Sequence, residues 1–119
     1  MASTNDEVFL RLYKADAILK KGQVIEENNP NDVNFKNAYR SAYDECSKAI
    51  LLKPDYAEAY LIRGQILKRQ RCIEEAIKDF EMVQRIAPNN SEAHMALKSL
   101  NANVNSTASD MLYPDIDVL

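Results

Sequence analysis

The chain has 119 residues, which suits one domain, and only two glycines and four prolines interrupt a composition that is 46% hydrophobic and 28% charged. So few helix-breaking residues in such a composition favour an all-helical fold. The net charge of −3 comes from three aspartates in residues 101–119, so residues 1–100 are electrically balanced and are not expected to bind nucleic acid, whose phosphates require concentrated Lys and Arg.

The cysteines and the N-terminus indicate the compartment. Cys46 and Cys72 lie far apart in the sequence and do not predict a disulfide scaffold. The N-terminal segment MASTNDEVFL lacks the basic region and apolar run of a signal peptide, and no apolar stretch is long enough to span a bilayer. We therefore expect a cytoplasmic protein, with the nucleus as the alternative, that does not insert into a membrane.

The first predicted helix contains the segment ADAILKKGQVI, which begins at Ala15. Thr4 and Glu7 have the spacing of a capping box, so this helix should begin well before Ala15. Nearly the same segment, AEAYLIRGQIL, returns at Ala57, which is 42 residues later. Small and apolar residues recur in both copies at spacings of three, four and seven, which place them on one side of a helix. Each copy is predicted to be a helix that is packed on both sides.

A second kind of helix follows each copy. The segments from Tyr39 to Pro54 and from Ile73 to Pro88 align without gaps at a spacing of 34 residues, and each is an amphipathic helix stopped by a proline. The chain is therefore a series of helical hairpins, which stack because one hairpin cannot bury its apolar face alone. The difference between the spacings of 42 and 34 places eight extra residues in the first hairpin, and we predict an insertion near residues 27–37.

The second hairpin, PDYAEAYLIRGQILKRQRCIEEAIKDFEMVQRIAPNN, resembles a tetratricopeptide (TPR) repeat in its length and landmarks. The glycine usual between the two helices is replaced by Arg71. The segment SEAHMALKSL resembles the first helix of a third repeat. The resemblance implies an all-α stack of antiparallel helical hairpins, a TPR-like α-solenoid of about two and a half repeats in residues 1–100. The landmark residues of the second repeat are Ala59, Tyr60, Gly64, Ala76, Phe80 and Pro88.

Catalytic and metal-binding residues are scarce. His94, the single histidine, aligns with the packing position of Tyr60. Cys46 aligns with the buried landmark Phe80, and Cys72 lies at the turn between helices, where nothing marks it as activated. The sequence contains no phosphate-binding loop and no cluster of metal ligands. We therefore predict a protein that is not an enzyme and that needs no metal or cofactor.

The TPR resemblance implies a peptide-binding groove. In this family the first helices of the repeats line a concave face, on which an extended peptide lies. An apolar floor would favour an apolar or amphipathic ligand, and we expect this floor to consist of Leu61, Ile62 and Met95. The other groove candidates are polar or apolar residues of the same helices: Asp16, Leu19, Lys20, Gln23, Glu58, Gln65, Arg69, Glu92 and Ala96.

Many co-chaperones of this family bind the C-terminal carboxylate of a chaperone with a clamp of Lys, Asn and Arg side chains. In this chain the corresponding positions lack basic residues, and a carboxylate such as Glu92 would repel the ligand. The resemblance therefore implies a protein–protein interaction adaptor that is co-chaperone-like but has no carboxylate clamp. Its partner would be a protein or peptide, such as a chaperone or a complex subunit. The clamp positions hold Leu19, Gln23, Ile62, Glu92 and Ala96.

Residues 101–119 are predicted to lie outside the repeats. Residues 101–109 are polar and read as a linker, and DMLYPDIDVL reads as an extended, acidic and apolar tail. We hypothesise that the tail occupies the groove of its own chain or of a neighbour, whereas a disordered end and capture by a separate partner are alternatives. A self-assembling module that uses the tail or the stack ends is the alternative function. The N-terminal residues expected to cover the open end of the stack are Phe9, Leu12 and Tyr13.

Overall fold

The structure is a computed structural model that describes the backbone of residues 4–112 and the side chains of residues 4–101. The regular secondary structure of this part of the chain is entirely α-helical, which confirms the predicted all-α hairpin stack. Each helix packs against its neighbours in the sequence, and α1 also contacts α3. The five helices are α1 (Thr4–Asn28), α2 (Asn34–Leu52), α3 (Ala57–Arg69), α4 (Ile73–Ile86) and α5 (Ser91–Leu112).

Helix α3 is packed on both sides, as the repeated segment predicts. Its position in the middle of the stack divides its buried side chains between two apolar clusters. One set joins the cluster of the first hairpin: Ala59, Ile62 and Ile66. The other set joins the cluster that α3 forms with α4 and α5: Tyr60, Leu61 and Leu67.

Helix α1 buries only one stripe, because no helix precedes it in the described stack. Val8, Leu12, Ala15 and Leu19 form this stripe at spacings of four, three and four residues, which is the period of a packed helix face. The N-terminal turns therefore belong to the core. Of the residues predicted to cover the open end of the stack, Leu12 is buried, whereas the side chains of Phe9 and Tyr13 are largely exposed.

The insertion in the first hairpin is spread over both helices and their connection. Compared with the second hairpin, α1 is one residue longer at its end, the loop of residues 29–33 is two residues longer, and α2 begins five residues earlier. These differences account for the eight extra residues. Asp32 supports the turn by accepting a hydrogen bond from the backbone N–H of Asn34 at 2.9 Å.

Arg71 occupies the left-handed position after α3. Its φ angle is 68°, a region that glycine adopts without the steric cost that other residues bear. The N–H of Cys72 donates to the Leu67 carbonyl at 2.9 Å, and the N–H of Arg71 donates to the Lys68 carbonyl at 3.1 Å. These are the two hydrogen bonds of a Schellman cap. Arginine therefore stands at a turn position that favours glycine.

Gly22 and Gly64 each allow an aromatic ring to approach the helix closely. A Cβ atom at Gly22 would lie 2.7 Å from Cε1 of Tyr39, and one at Gly64 would lie 2.8 Å from Cε1 of Phe80. The two rings come from different repeat positions, since Phe80 aligns with Cys46 in the first hairpin. In the first repeat, the Tyr39 ring therefore occupies the space that the Phe80 ring occupies in the second repeat.

Ala76 is fully buried where α4 packs in the second cluster, as its counterpart Ala42 is in the first. We expect Ala76→Leu to lower the free energy of unfolding by about 1–3 kcal/mol, because a larger side chain overpacks a filled site. Urea denaturation measures this loss. Ala17→Leu, the same change at an exposed position of α1, is the matched control and should have little effect. Equal stability of the Ala76→Leu variant and the wild type would show that the helix register is wrong.

The third-repeat helix begins at a side-chain cap and is longer than predicted. The Asn90 side chain accepts a hydrogen bond from the Ala93 N–H at 2.9 Å and so caps the start of the helix. Helix α5 continues to Leu112 through the segment predicted as a linker. The helix can continue through this segment because Asn, Ser and Thr lower helix propensity only moderately and the first helix-breaking residue is Pro114.

Residues 113–119, which contain most of the hypothetical docking tail, lie outside the described residues. The boundary between a domain of residues 1–100 and a tail of residues 101–119 therefore stays a prediction, as does the self-assembly that depends on the tail. No helix in residues 4–112 combines the length and apolar character needed to cross a membrane.

Candidate peptide-binding face

The predicted groove residues lie on α1, α3 and α5, the first helices of the repeats. Leu19 and Leu61 are buried in the two core clusters, so they support this face from below and offer almost no surface to a ligand. Ile62 is also buried, although it contributes to the wall of a surface groove. Met95 is 69% exposed. The expected apolar floor of Leu61, Ile62 and Met95 is thus divided between the core and the surface.

Polar groove candidates on the first helices are joined in pairs. Lys20 Nζ lies 2.9 Å from Asp16 Oδ2, one helical turn away in α1. Gln65 Nε2 donates to Glu92 Oε2 at 3.5 Å, which connects α3 with α5. The Gln65–Glu92 contact places candidates of α3 and α5 together on one side of the stack. Arg69 has a looser contact of 4.0 Å, to Glu26 Oε1, which links α3 with α1.

Glu58 lies near two other carboxylate groups, those of Glu92 and Asp16. Partial burial raises the pKa of its carboxyl group, and the negative charges of Glu92 and Asp16 raise this pKa further. One carboxylate from each of the three first helices therefore contributes to the same acidic field. Ala96 is half-buried, and Gln23 is half-buried and uncharged, so neither offsets this field.

A groove between α1 and the start of α3 was not predicted from the sequence. Its volume is about 610 Å³, and we term it the aromatic groove. Phe9, Leu10 and Tyr13 expose 55%, 60% and 77% of their surface, and the rings of Phe9 and Tyr56 meet edge to face at 5.6 Å. The only sequence pattern that could have indicated this groove is that Phe9, Leu10 and Tyr13 lie outside the buried stripe of α1. The groove is lined by Phe9, Leu10, Leu12, Tyr13, Asp16, Tyr56, Glu58 and Ile62.

Arg63 and Asp79 form a largely buried ion pair behind this face. Arg63 Nε lies 2.8 Å from Asp79 Oδ2, and its Nη2 atom lies 2.9 Å from Asp79 Oδ1. The guanidinium group also faces the rings of Tyr43 and Tyr60 at 5.5 and 5.8 Å. Hydrogen bonding to Asp79 raises the pKa of Arg63, so its guanidinium group stays charged. Its fork geometry makes it a structural connection between α3 and α4.

The cysteines and the histidine have no arrangement that indicates catalysis. Cys46 is buried in the core, and this burial raises the pKa of its thiol to about 12, so little reactive thiolate forms at neutral pH. Cys72 is half-buried at the turn. The prediction that His94 occupies a packing position is wrong, since His94 is exposed and bonds to Gln84 at 3.3 Å. In the described residues, no three His, Cys, Asp or Glu side chains are grouped to hold a metal ion.

One solved structure decides the fold. The chain matches the first TPR of Spaghetti (RPAP3), bound to the HSP90 peptide SRMEEVD, with a TM-score of 0.56 and 22% sequence identity over 79% of this chain and 95% of that one. The chain has the tetratricopeptide-repeat fold. This TPR fold is recognised from structure and from individual relatives, since no family model matches the chain.

Curated relatives of the TPR domain are much longer proteins. RNA polymerase II-associated protein 3 of Xenopus laevis is 37% identical over 70 residues, which cover 59% of this chain and 11% of the relative. DnaJ homolog subfamily C member 7 homolog of Dictyostelium discoideum is 32% identical over 62 residues, 52% of this chain and 12% of the relative. Sperm-associated antigen 1 of Mus musculus is 29% identical over 97 residues, 81% of this chain and 11% of the relative. The chain thus spans about a tenth of the length of these relatives.

Proposed function

We propose that this TPR domain is a non-catalytic adaptor that holds a segment of a partner protein against the face formed by α1, α3 and α5. The observation that carries the proposal is the exposure of large apolar side chains on two of these helices, Phe9, Leu10 and Tyr13 on α1 and Met95 on α5. Exposed apolar surface that is bordered by polar groups is typical of protein-binding sites. The peptide-bound state of the structurally similar TPR domain is a second support.

We also propose that the domain lacks a carboxylate clamp. Two clamp positions hold Leu19 and Ile62, whose side chains are buried in the core and carry no charge. A third holds Glu92, which adds to the negative field around Glu58. A chaperone partner would therefore bind through a segment other than an acidic C-terminus, and a subunit of another complex would suit the same face. A reducing compartment, the cytoplasm or the nucleus, agrees with the two free cysteines.

The adaptor proposal is tested by selecting binders from a random phage-displayed peptide library and mapping the synthesised peptides by ¹⁵N NMR. We expect enriched peptides to shift amide signals of α1, α3 and α5 more than those of α2 and α4. Met95→Glu should weaken binding, whereas Arg85→Glu, an exposed change on α4, should not. If no peptide is enriched, or if the shifts concentrate on α2 and α4, the adaptor proposal is wrong.

The missing clamp predicts weak binding of the peptide SRMEEVD. We expect a Kd no tighter than about 1 mM, because the groove supplies carboxylates where this acidic ligand requires cations. Isothermal calorimetry measures the affinity, with the TPR domain of Spaghetti (RPAP3) as the positive control. Micromolar binding that is abolished by Lys20→Glu would contradict this prediction and indicate a clamp built around Lys20.

A further inference from the structure

The aromatic groove combines apolar rings with negative charge. Among the residues that line it, Asp16 and Glu58 are charged, and neither Lys nor Arg is present. The remaining walls come mainly from Phe9, Tyr13 and Tyr56, together with aliphatic side chains. A ligand for this groove must therefore tolerate or neutralise carboxylates while it covers apolar surface.

The Tyr56 ring already attracts a cation from its own chain. Lys53 Nζ lies 6.0 Å from the centre of this ring, at the turn before α3. Tyr13 is 77% exposed, and no ring contact or hydrogen bond of its side chain occurs within residues 4–101. Tyr13 therefore offers the same type of ring to a cation from outside the chain.

The carboxylates of the groove are incompletely neutralised by the chain itself. Asp16 has Lys20 as its ion-pair partner, and Lys20 is mostly solvent-exposed. Glu58 has no ion pair within residues 4–101, and it lies near the negative charges of Asp16 and Glu92. A cationic ligand would reduce this repulsion, whereas an anionic ligand would increase it.

We propose that the aromatic groove binds a partner segment in which Lys or Arg is flanked by apolar side chains, with the cation between Glu58, Asp16 and the Tyr13 ring. This inference rests on the proposed adaptor function. It specifies the chemistry of the ligand segment that binds between α1 and α3. Charge complementarity selects the cation, and the exposed surfaces of Phe9 and Leu10 select its apolar neighbours.

The test uses the peptides enriched by the domain from the random library. We expect their consensus to contain Lys or Arg next to apolar residues, and replacement of that Lys or Arg by Gln should weaken binding about tenfold or more. Glu58→Gln should weaken binding about 5- to 10-fold, and Tyr13→Ala about 3- to 10-fold. Glu81→Gln and Leu51→Ala, changes at exposed positions outside the groove, are the matched controls and should stay within about twofold.

The outcomes separate this inference from the adaptor function. Peptides that bind α1, α3 and α5 but are neutral or acidic would overturn the inference and leave the adaptor function intact. Basic peptides whose affinity is unchanged by both Glu58→Gln and Tyr13→Ala would also overturn it, because they would bind elsewhere on the face. Both variants change exposed side chains, so thermal melts close to that of the wild type should show that they remain folded.

Discussion

Asp79→Ala is expected to lower the free energy of unfolding by about 3–5 kcal/mol, because it leaves the guanidinium of Arg63 without its partner in a largely buried site. The carboxylate of Asp79 receives two hydrogen bonds from Arg63, at 2.8 and 2.9 Å, and its side chain is 8% exposed. Urea denaturation followed by circular dichroism measures the loss. Glu75→Ala removes an exposed carboxylate from the same helix and should change stability by less than about 0.5 kcal/mol.

A double variant tests the reason for this loss. Replacing both partners, with Arg63→Met and Asp79→Leu, removes the charges together and should be much less destabilising than Asp79→Ala alone. Since a domain of this size has a total stability of about 5–15 kcal/mol, partial unfolding of Asp79→Ala without urea would agree with the prediction, provided that the double variant folds. A loss below about 1 kcal/mol for Asp79→Ala would show that water already reaches the pair.

Phe80→Ala is expected to lower the free energy of unfolding by about 3–5 kcal/mol. Phe80 is fully buried, and its ring lies directly against Gly64, where an added Cβ atom would be 2.8 Å from Cε1 of the ring. The loss includes both the transfer of the ring into water and the cavity that remains. Urea denaturation measures it, with the slope of the transition checked for two-state unfolding.

The matched control for Phe80 is the corresponding position of the first hairpin. Cys46→Ala removes a single sulfur atom from an equally buried site, and we expect a loss on the order of 1 kcal/mol. Tyr39→Ala should instead produce the large loss in that hairpin, because the Tyr39 ring packs against Gly22. Comparable losses for Cys46→Ala and Phe80→Ala would contradict the exchange of ring positions between the repeats.

The hairpin stack could be predicted because its main signals are local. The buried positions of Ala59, Ala76 and Phe80 follow from helical periodicity and from the 34-residue spacing of the second helices. Close helix packing also requires small side chains at some positions and large ones at others, which Ala59, Ala76 and Phe80 provide. The division of apolar residues on α3 between two clusters likewise follows from its predicted place in the middle of the stack.

The groove was harder to predict, because exposure depends on which helix is adjacent. Leu61 and Met95 both lie on first helices, yet Leu61 is buried against α4 and α5, whereas Met95 is exposed on α5. The aromatic groove depends on α1 extending beyond the repeat, so that Phe9 reaches Tyr56. A distance of 47 residues in the sequence gives no periodic signal for this contact.

The ion pair and the long last helix were missed for different reasons. Charged residues in a helical pattern are usually solvated, so nothing in the local sequence indicates that Arg63 and Asp79 are turned toward each other and buried. The segment of residues 101–112 is polar enough for a linker, but it contains neither Gly nor Pro and can continue a helix that begins at Ser91. The composition of residues 101–112 alone does not distinguish a linker from a continued helix.

Arg63 affects the cooperativity of unfolding as well as the stability of the domain. Its side chain contacts Ser47 and Tyr43 on α2 as well as Asp79 on α4, so this residue of α3 connects the helices on both sides of it. In a linear array of repeats, such contacts between neighbours decide whether the units open together or one at a time. Removal of the Arg63 guanidinium is therefore expected to let the first hairpin exchange its amide hydrogens more independently of the second.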